Sequence, residues 1–118
     1  MRPDRLALAE IMDAAEQIIA LTAGMSVADI ESDRTVRDAL LWNFTVLGEA
    51  VAQVSDETKA AAPDVEWREP GRIRNRIVHG YWSADLEVLL ATARADIPRF
   101  LASVVELAER IQKDGRPS

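Results

Sequence analysis

Leu40, Phe44, Leu47, Val51 and Val54 recur at steps of four, three, four and three. At 3.6 residues per turn these side chains fall on one stripe, and a stripe this long belongs to a helix packed along its whole length against a partner. A longer seam closes the chain: Leu86, Leu90, Ala93, Ile97, Phe100, Val104, Leu107 and Ile111 keep the same alternation. Pro98 lies inside it and removes one backbone donor without disturbing the pattern, so a kinked helix or two nearly continuous ones are expected. Leu8, Met12, Ala15 and Ile19 mark a first helix over residues 4–22. Between the seams, TAGMSVADIESD reads as a loop, with Ser32 or Asp33 capping the second helix. SDETKAAA reads as a short helix capped by Ser55 or Asp56 and ended by Pro63, and YWSADLEVL starts the final helix with Ser83 or Asp85 near its cap.

Glycine and proline are scarce and β-branched runs short, so the expected fold is all-α: an antiparallel bundle of four to five helices. At 118 residues it forms one domain over 1–118, with 1–3 and 113–118 frayed. The seams exceed what one small bundle buries, which predicts a symmetric helix-to-helix dimer. Trp42, Trp67 and Trp82 read as packing residues rather than a platform for bases. With no cysteine, disulfides, thiolate metal sites and cysteine nucleophiles are excluded, and a reducing compartment suits the chain. The start, MRPDRLALAEIMDAAEQ, carries acids through its apolar stretch and does not read as a signal peptide, and no apolar run reaches the roughly 18 residues of a membrane span. A soluble cytoplasmic protein with no membrane segment is expected.

The net charge of −6 argues against a general nucleic-acid binder. That average hides a local reversal. Residues 68–82 hold Arg68, Arg72, Arg74 and Arg76 against Glu69 alone, a charge of +3 that leaves −9 for the rest of the chain. Of the 14 basic residues 12 are arginine, the side chain that grips phosphate bidentately. The same stretch, RIRNRIVHGYW, holds the only histidine and the only tyrosine. A helix through it, ending near Gly80, puts Ile73 and Ile77 on the core face and Asn75 with His79 nearly opposite. Arg74 is about 140° from His79, too far round for one straight helix to bring both to one phosphate easily. The helix end at Gly80, or a second copy of the motif across a dimer axis, could complete such a site.

Imidazole exchanges protons near neutral pH, and guanidinium stabilises the extra negative charge of a phosphoryl transition state. Together they suit cleavage of an RNA phosphodiester by a route that needs no metal, and the chain has no clustered histidine and acid ligand set. Arg74, four residues, His79, one residue and Tyr81, with Asn75 directly after the arginine, resembles the signature of the HEPN superfamily and of its HepT toxins. GEA at 48–50, Trp67, NRIVHGYW, DLEVL and DIP near Pro98 stand in that family's order, so the resemblance spans residues 33–111. EPGR at 69–72 departs from it, with Pro70 and Gly71 where helix-compatible residues are expected.

The resemblance implies a dimeric helical bundle whose two motifs line one cleft. It implies a metal-independent endoribonuclease without a cofactor, acting as the toxin of a type VII-like toxin–antitoxin pair. The implied antitoxin is a nucleotidyltransferase of the MntA type that transfers AMP to Tyr81. In that scheme Arg74 and His79 are catalytic, Asn75 is a supporting polar residue and Tyr81 is the modification acceptor. Arg72 and Arg76 lie outside the family pattern and are expected to contact RNA phosphates. Two other classes compete: a non-catalytic nucleotide-binding or regulatory subunit of a nucleotidyltransferase, favoured by the acidic composition, and a bare dimerisation protein.

Overall fold

A computed structural model of the chain describes residues 3–80 and 85–113. The first helix, α1 (Asp4–Thr22), buries Ala7, Leu8, Ile11, Ala14, Ala15, Ile18 and Thr22. Its core line therefore runs through Ile11 and Ile18, while the expected Met12 and Ile19 are only half-buried at its edge. Alanines on both sides of that line widen the apolar face and blur its centre in the sequence. The helix ends in a turn in which Gly24 takes φ 72°, a conformation that glycine adopts without a Cβ clash. Arg94 donates from across the bundle to the Met25 carbonyl.

The expected loop contains a helix, α2 (Val27–Ser32). Ser26 and Asp29 form a capping box: the Asp29 amide donates to Ser26 Oγ at 3.1 Å, and the Ser26 amide donates to the Asp29 carboxylate at 2.9 Å. Ile30, wholly buried, pins this helix to the core. Six residues are too few for an apolar period to show, so only the cap could have betrayed it.

The helix carrying the shorter seam, α3 (Arg34–Gln53), starts at Asp33, whose carboxylate accepts from the Val36 amide at 3.2 Å. Leu40, Phe44, Leu47, Val51 and the C-capping Val54 are all buried. A short helix, α4 (Asp56–Ala61), is capped by Ser55 and ends before Pro63. Three more complete the chain: α5 (Glu69–Gly80), α6 (Leu86–Ala95) and α7 (Ile97–Lys113). Asp85 caps α6 by accepting from the Glu87 and Val88 amides. Only Asp96 separates α6 from α7. Its amide reaches the Thr92 carbonyl and its carbonyl receives the Phe100 amide, each at 2.9 Å, so the two helices form one nearly continuous rod around Pro98.

Among the described residues, with α6 and α7 counted together, four long rods make the bundle, and α2 and α4 are short additions. α3 lies between α1 and α5, and α1 also packs on α6 and α7. This leaves α5 at the margin, with α3 as its principal helix neighbour. Trp67 packs edge-on to Phe100, with ring centroids 6.5 Å apart, and donates to the Ala62 carbonyl at 3.0 Å. Trp42 does not pack as expected: it is 67% exposed, because it lies off the Leu40–Leu47 line on the outer side of α3. Trp82 lies outside the described residues, as do the expected frayed positions 1–2 and 114–118, whereas Pro3 precedes α1 directly and Lys113 is still helical. Among the described residues no helix is long and apolar enough to cross a membrane.

Candidate functional site

The site is built on α5, and its unusual start is compatible with a helix. Pro70 occupies the second helical position, where a missing N–H deprives no intrahelical bond, and its ring is buried. The Arg72 amide already reaches back to the Arg68 carbonyl at 3.2 Å. From there the charged sequence is held down by two aliphatic contacts, Ile73 at 4% and Ile77 at 5% exposure.

Gly48 sets how closely α5 lies on α3. A Cβ placed there would come within 2.7 Å of the Pro70 carbonyl oxygen and would overlap the Arg74 Cβ. Only a residue without a side chain allows the backbones this close. The approach brings Glu49 beside Arg74, and their side chains form an ion pair between the two helices. Arg74 Nη1 also donates to the Asn75 side-chain oxygen at 3.0 Å. Its Nε is buried without a hydrogen-bond partner among the described residues, while the side chain as a whole is 34% exposed. Two groups therefore fix the guanidinium by its terminal nitrogens, leaving one N–H on each of them.

His79 is exposed, as its place on the helix predicts, and has no hydrogen bond or ion pair among the described residues. It borders an open groove of about 360 Å³ between the end of α5 and the start of α6, together with Arg76 and Asp85, with Ile77 and Leu89 forming apolar wall. Arg74 does not line this groove. The two residues expected to be catalytic thus share a helix, but Arg74 lies outside the groove that His79 borders. Arg76 is exposed and unpaired among the described residues, whereas Arg72 leans on Glu69 at 3.5 Å. Tyr81 lies outside the described residues. A larger groove of about 540 Å³ on another side of α5 is bordered by Asp64, Glu66, Glu69 and Asp96 against the single cation Arg99, a net negative lining that repels a polyanion. Among the described residues no three histidine or acidic side chains are grouped to hold a metal ion.

Glu49 is the participant that sequence reasoning assigned no chemistry. It stood in view as the middle of the GEA landmark, but pairing across two helices leaves no spacing signal.

The family model described as "Ribonuclease HepT-like" matches residues 11–107, a span that includes α3 and α5 and both partners of the Arg74–Glu49 pair. The chain belongs to the HepT-like ribonuclease family. A HepT-like relative from Thermococcus cleftensis, named "Probable ribonuclease HepT", is 31% identical over 91 residues, covering 77% of this chain and 83% of its own. Two others have names that carry the word RNase. One, from Methanocaldococcus jannaschii, is 24% identical over 82% of this chain and 89% of its own. The other, from Caldanaerobacter subterraneus subsp. tengcongensis, is 24% identical over 93% of this chain and 98% of its own. No solved structure matches this HepT-like chain at the same stringency. Membership makes the chain a ribonuclease by class and accords with the all-α bundle on which Arg74 and His79 are displayed.

Proposed function

We propose that this HepT-like protein is a metal-independent endoribonuclease whose site is completed across a homodimer, with Arg74 and His79 as its catalytic residues. The observation that carries the reading is the contrast on α5: a guanidinium already fixed by Glu49 and Asn75, and an exposed imidazole at the rim of an open groove. In the reaction the ribose 2′-oxygen attacks the adjacent phosphorus and the bond to the 5′-oxygen breaks. His79 takes the 2′-hydroxyl proton or supplies one to the departing 5′-oxygen, and Arg74 binds the non-bridging oxygens as their charge grows. The products are a 2′,3′-cyclic phosphate and a 5′-hydroxyl. Arg76, exposed beside His79, contacts a flanking phosphate, with Arg72 as a second contact once it leaves Glu69. The protein acts in the cytoplasm.

In the cell this ribonuclease is the toxin of a type VII-like pair. Its antitoxin is an MntA-type nucleotidyltransferase that places AMP on Tyr81, two residues from His79, where a bulky anion excludes RNA. Purified protein should cleave RNA in EDTA to the ends just named. His79→Ala should reduce the rate by about 10²- to 10⁴-fold with helicity and Tm retained. If wild type and His79→Ala are equally inert on RNA, the enzyme reading fails and the non-catalytic regulatory subunit takes its place. Co-expression with an MntA-type nucleotidyltransferase, followed by intact-mass measurement, should add one AMP to wild type and none to Tyr81→Phe.

A further inference from the structure

We propose that Glu49 is a positioning residue of the ribonuclease site, orienting the Arg74 guanidinium from the neighbouring helix; the inference rests on the catalytic reading of Arg74 above. An arginine side chain has several rotatable bonds, and orientation is worth rate only if the planar fork is held where the phosphoryl oxygens arrive. Its inner nitrogen gives no help, because Nε is buried without an acceptor among the described residues. Orientation falls to the terminal nitrogens. Asn75 holds Nη1, but it is the next residue on the same helix and so turns with it; like Glu49 it is exposed. Glu49 holds Nη2 from α3, and Gly48 fixes its reach by letting the α5 backbone lie against α3 directly beside it. The plane of the guanidinium is thus referred to α3, through a side chain whose neighbour Gly48 is buried against α5, rather than to α5 alone.

The carboxylate also carries a cost. A negative charge paired with Arg74 partly cancels the field that draws in a phosphodiester, so Glu49 weakens ground-state binding while it orients the group needed later. These opposed effects give a signature that a purely structural residue lacks: removing Glu49 should lower kcat without raising KM.

The experiment compares Glu49→Ala, Glu49→Gln and His79→Ala with wild type on one RNA substrate, with kcat, KM and Tm read for each. Glu49→Ala should lose on the order of tenfold to a hundredfold in kcat, a scale that misplacement of a catalytic group by about 1 Å produces, with KM unchanged or lower. Glu49→Gln keeps a carbonyl oxygen that can accept from Nη2 and should recover most of that kcat. Equal or faster turnover by Glu49→Ala would overturn the inference and mark the pair as a restraint on Arg74. So would a kcat loss that tracks a fall in Tm and is not recovered by glutamine. If His79→Ala is inactive and Glu49→Ala turns over normally, only the role of Glu49 is lost. If wild type and His79→Ala are equally inert, the ribonuclease reading falls and this inference with it.

Discussion

Arg74 and His79 lie five residues apart on one helix in opposite physical states. Arg74 is half-buried against α3, ion-paired to Glu49 and hydrogen-bonded to Asn75. His79 is exposed, without a hydrogen bond or ion pair among the described residues, next to a groove that Arg74 does not line. Of the two residues proposed to be catalytic, one is therefore held within a single chain and the other is not. The helix imposes this division. Five residues advance it by about 7.5 Å and turn it by about 140°, so whichever face rests on α3 determines which of the two residues is gripped.

The sharpest way to break this contrast is to put its two halves on different chains. Arg74→Ala and His79→Ala should each be depressed about 10²- to 10⁴-fold alone. If Arg74 of one protomer works with His79 of the other, a mixed dimer retains one intact pair, and a randomly re-assorted equimolar mixture should return to about a quarter of wild-type activity. If each chain's own pair works, the mixture stays as inactive as either parent. Gel filtration of the mixture checks that dimers have formed and exchanged.

A smaller effect should come from disturbing the prepared half. Gly48→Ala places a methyl group against the Pro70 carbonyl and the Arg74 side chain, and the first of these is backbone that cannot step aside cheaply. Overpacking of this kind costs about 1–3 kcal/mol, a fall in Tm of several degrees for a chain of this size. Cleavage should drop as well, since Arg74 moves with α5, whereas exposure of His79 should not change. An alanine variant with wild-type Tm would show that α5 rides on α3 loosely, and that Arg74 is not held from below.

The same division explains what could be read from the sequence. The long rods were legible because their signal is periodic: every residue of the Leu40–Val54 stripe is buried, and Ile73 and Ile77 face inward as their spacing requires. The α2 helix is not legible because six residues carry no period, and the exposure of Trp42 follows from its position off the stripe, which an expectation of packing for all three tryptophans does not reflect. Arg74 and His79 were visible as residue types in a local pattern. Glu49 was not, because its partner is 25 positions away on another helix, and only the Gly48 contact that joins the helices reveals it.

Cleavage should respond least to a change at Asp4, where a polar anchor serves the fold and not the site. Its buried carboxylate accepts from the Ser55 amide at 2.9 Å and from the Ser55 hydroxyl at 2.6 Å, and also from the Thr58 hydroxyl, tying the start of α1 to the start of α4. Burial by itself would raise its pKa, but the Ser55 and Thr58 hydroxyls, the Ser55 amide and the nearby Lys59 charge together outweigh it and hold the carboxyl below its ordinary value. A carboxyl lowered in the folded state stabilises fully above its unfolded pKa, about 3.9, and that contribution disappears as pH falls through the lower folded value. Asp4→Asn keeps the shape and removes the charge, so it should cost about 1.5–3 kcal/mol at neutral pH, the range for a hydrogen bond to a charged acceptor. The Tm gap between wild type and Asp4→Asn should stay constant from pH 7 to about 5 and close below about 4. A gap that persists unchanged to pH 2 would mean that amide geometry, rather than the lost charge, is what the substitution disturbs.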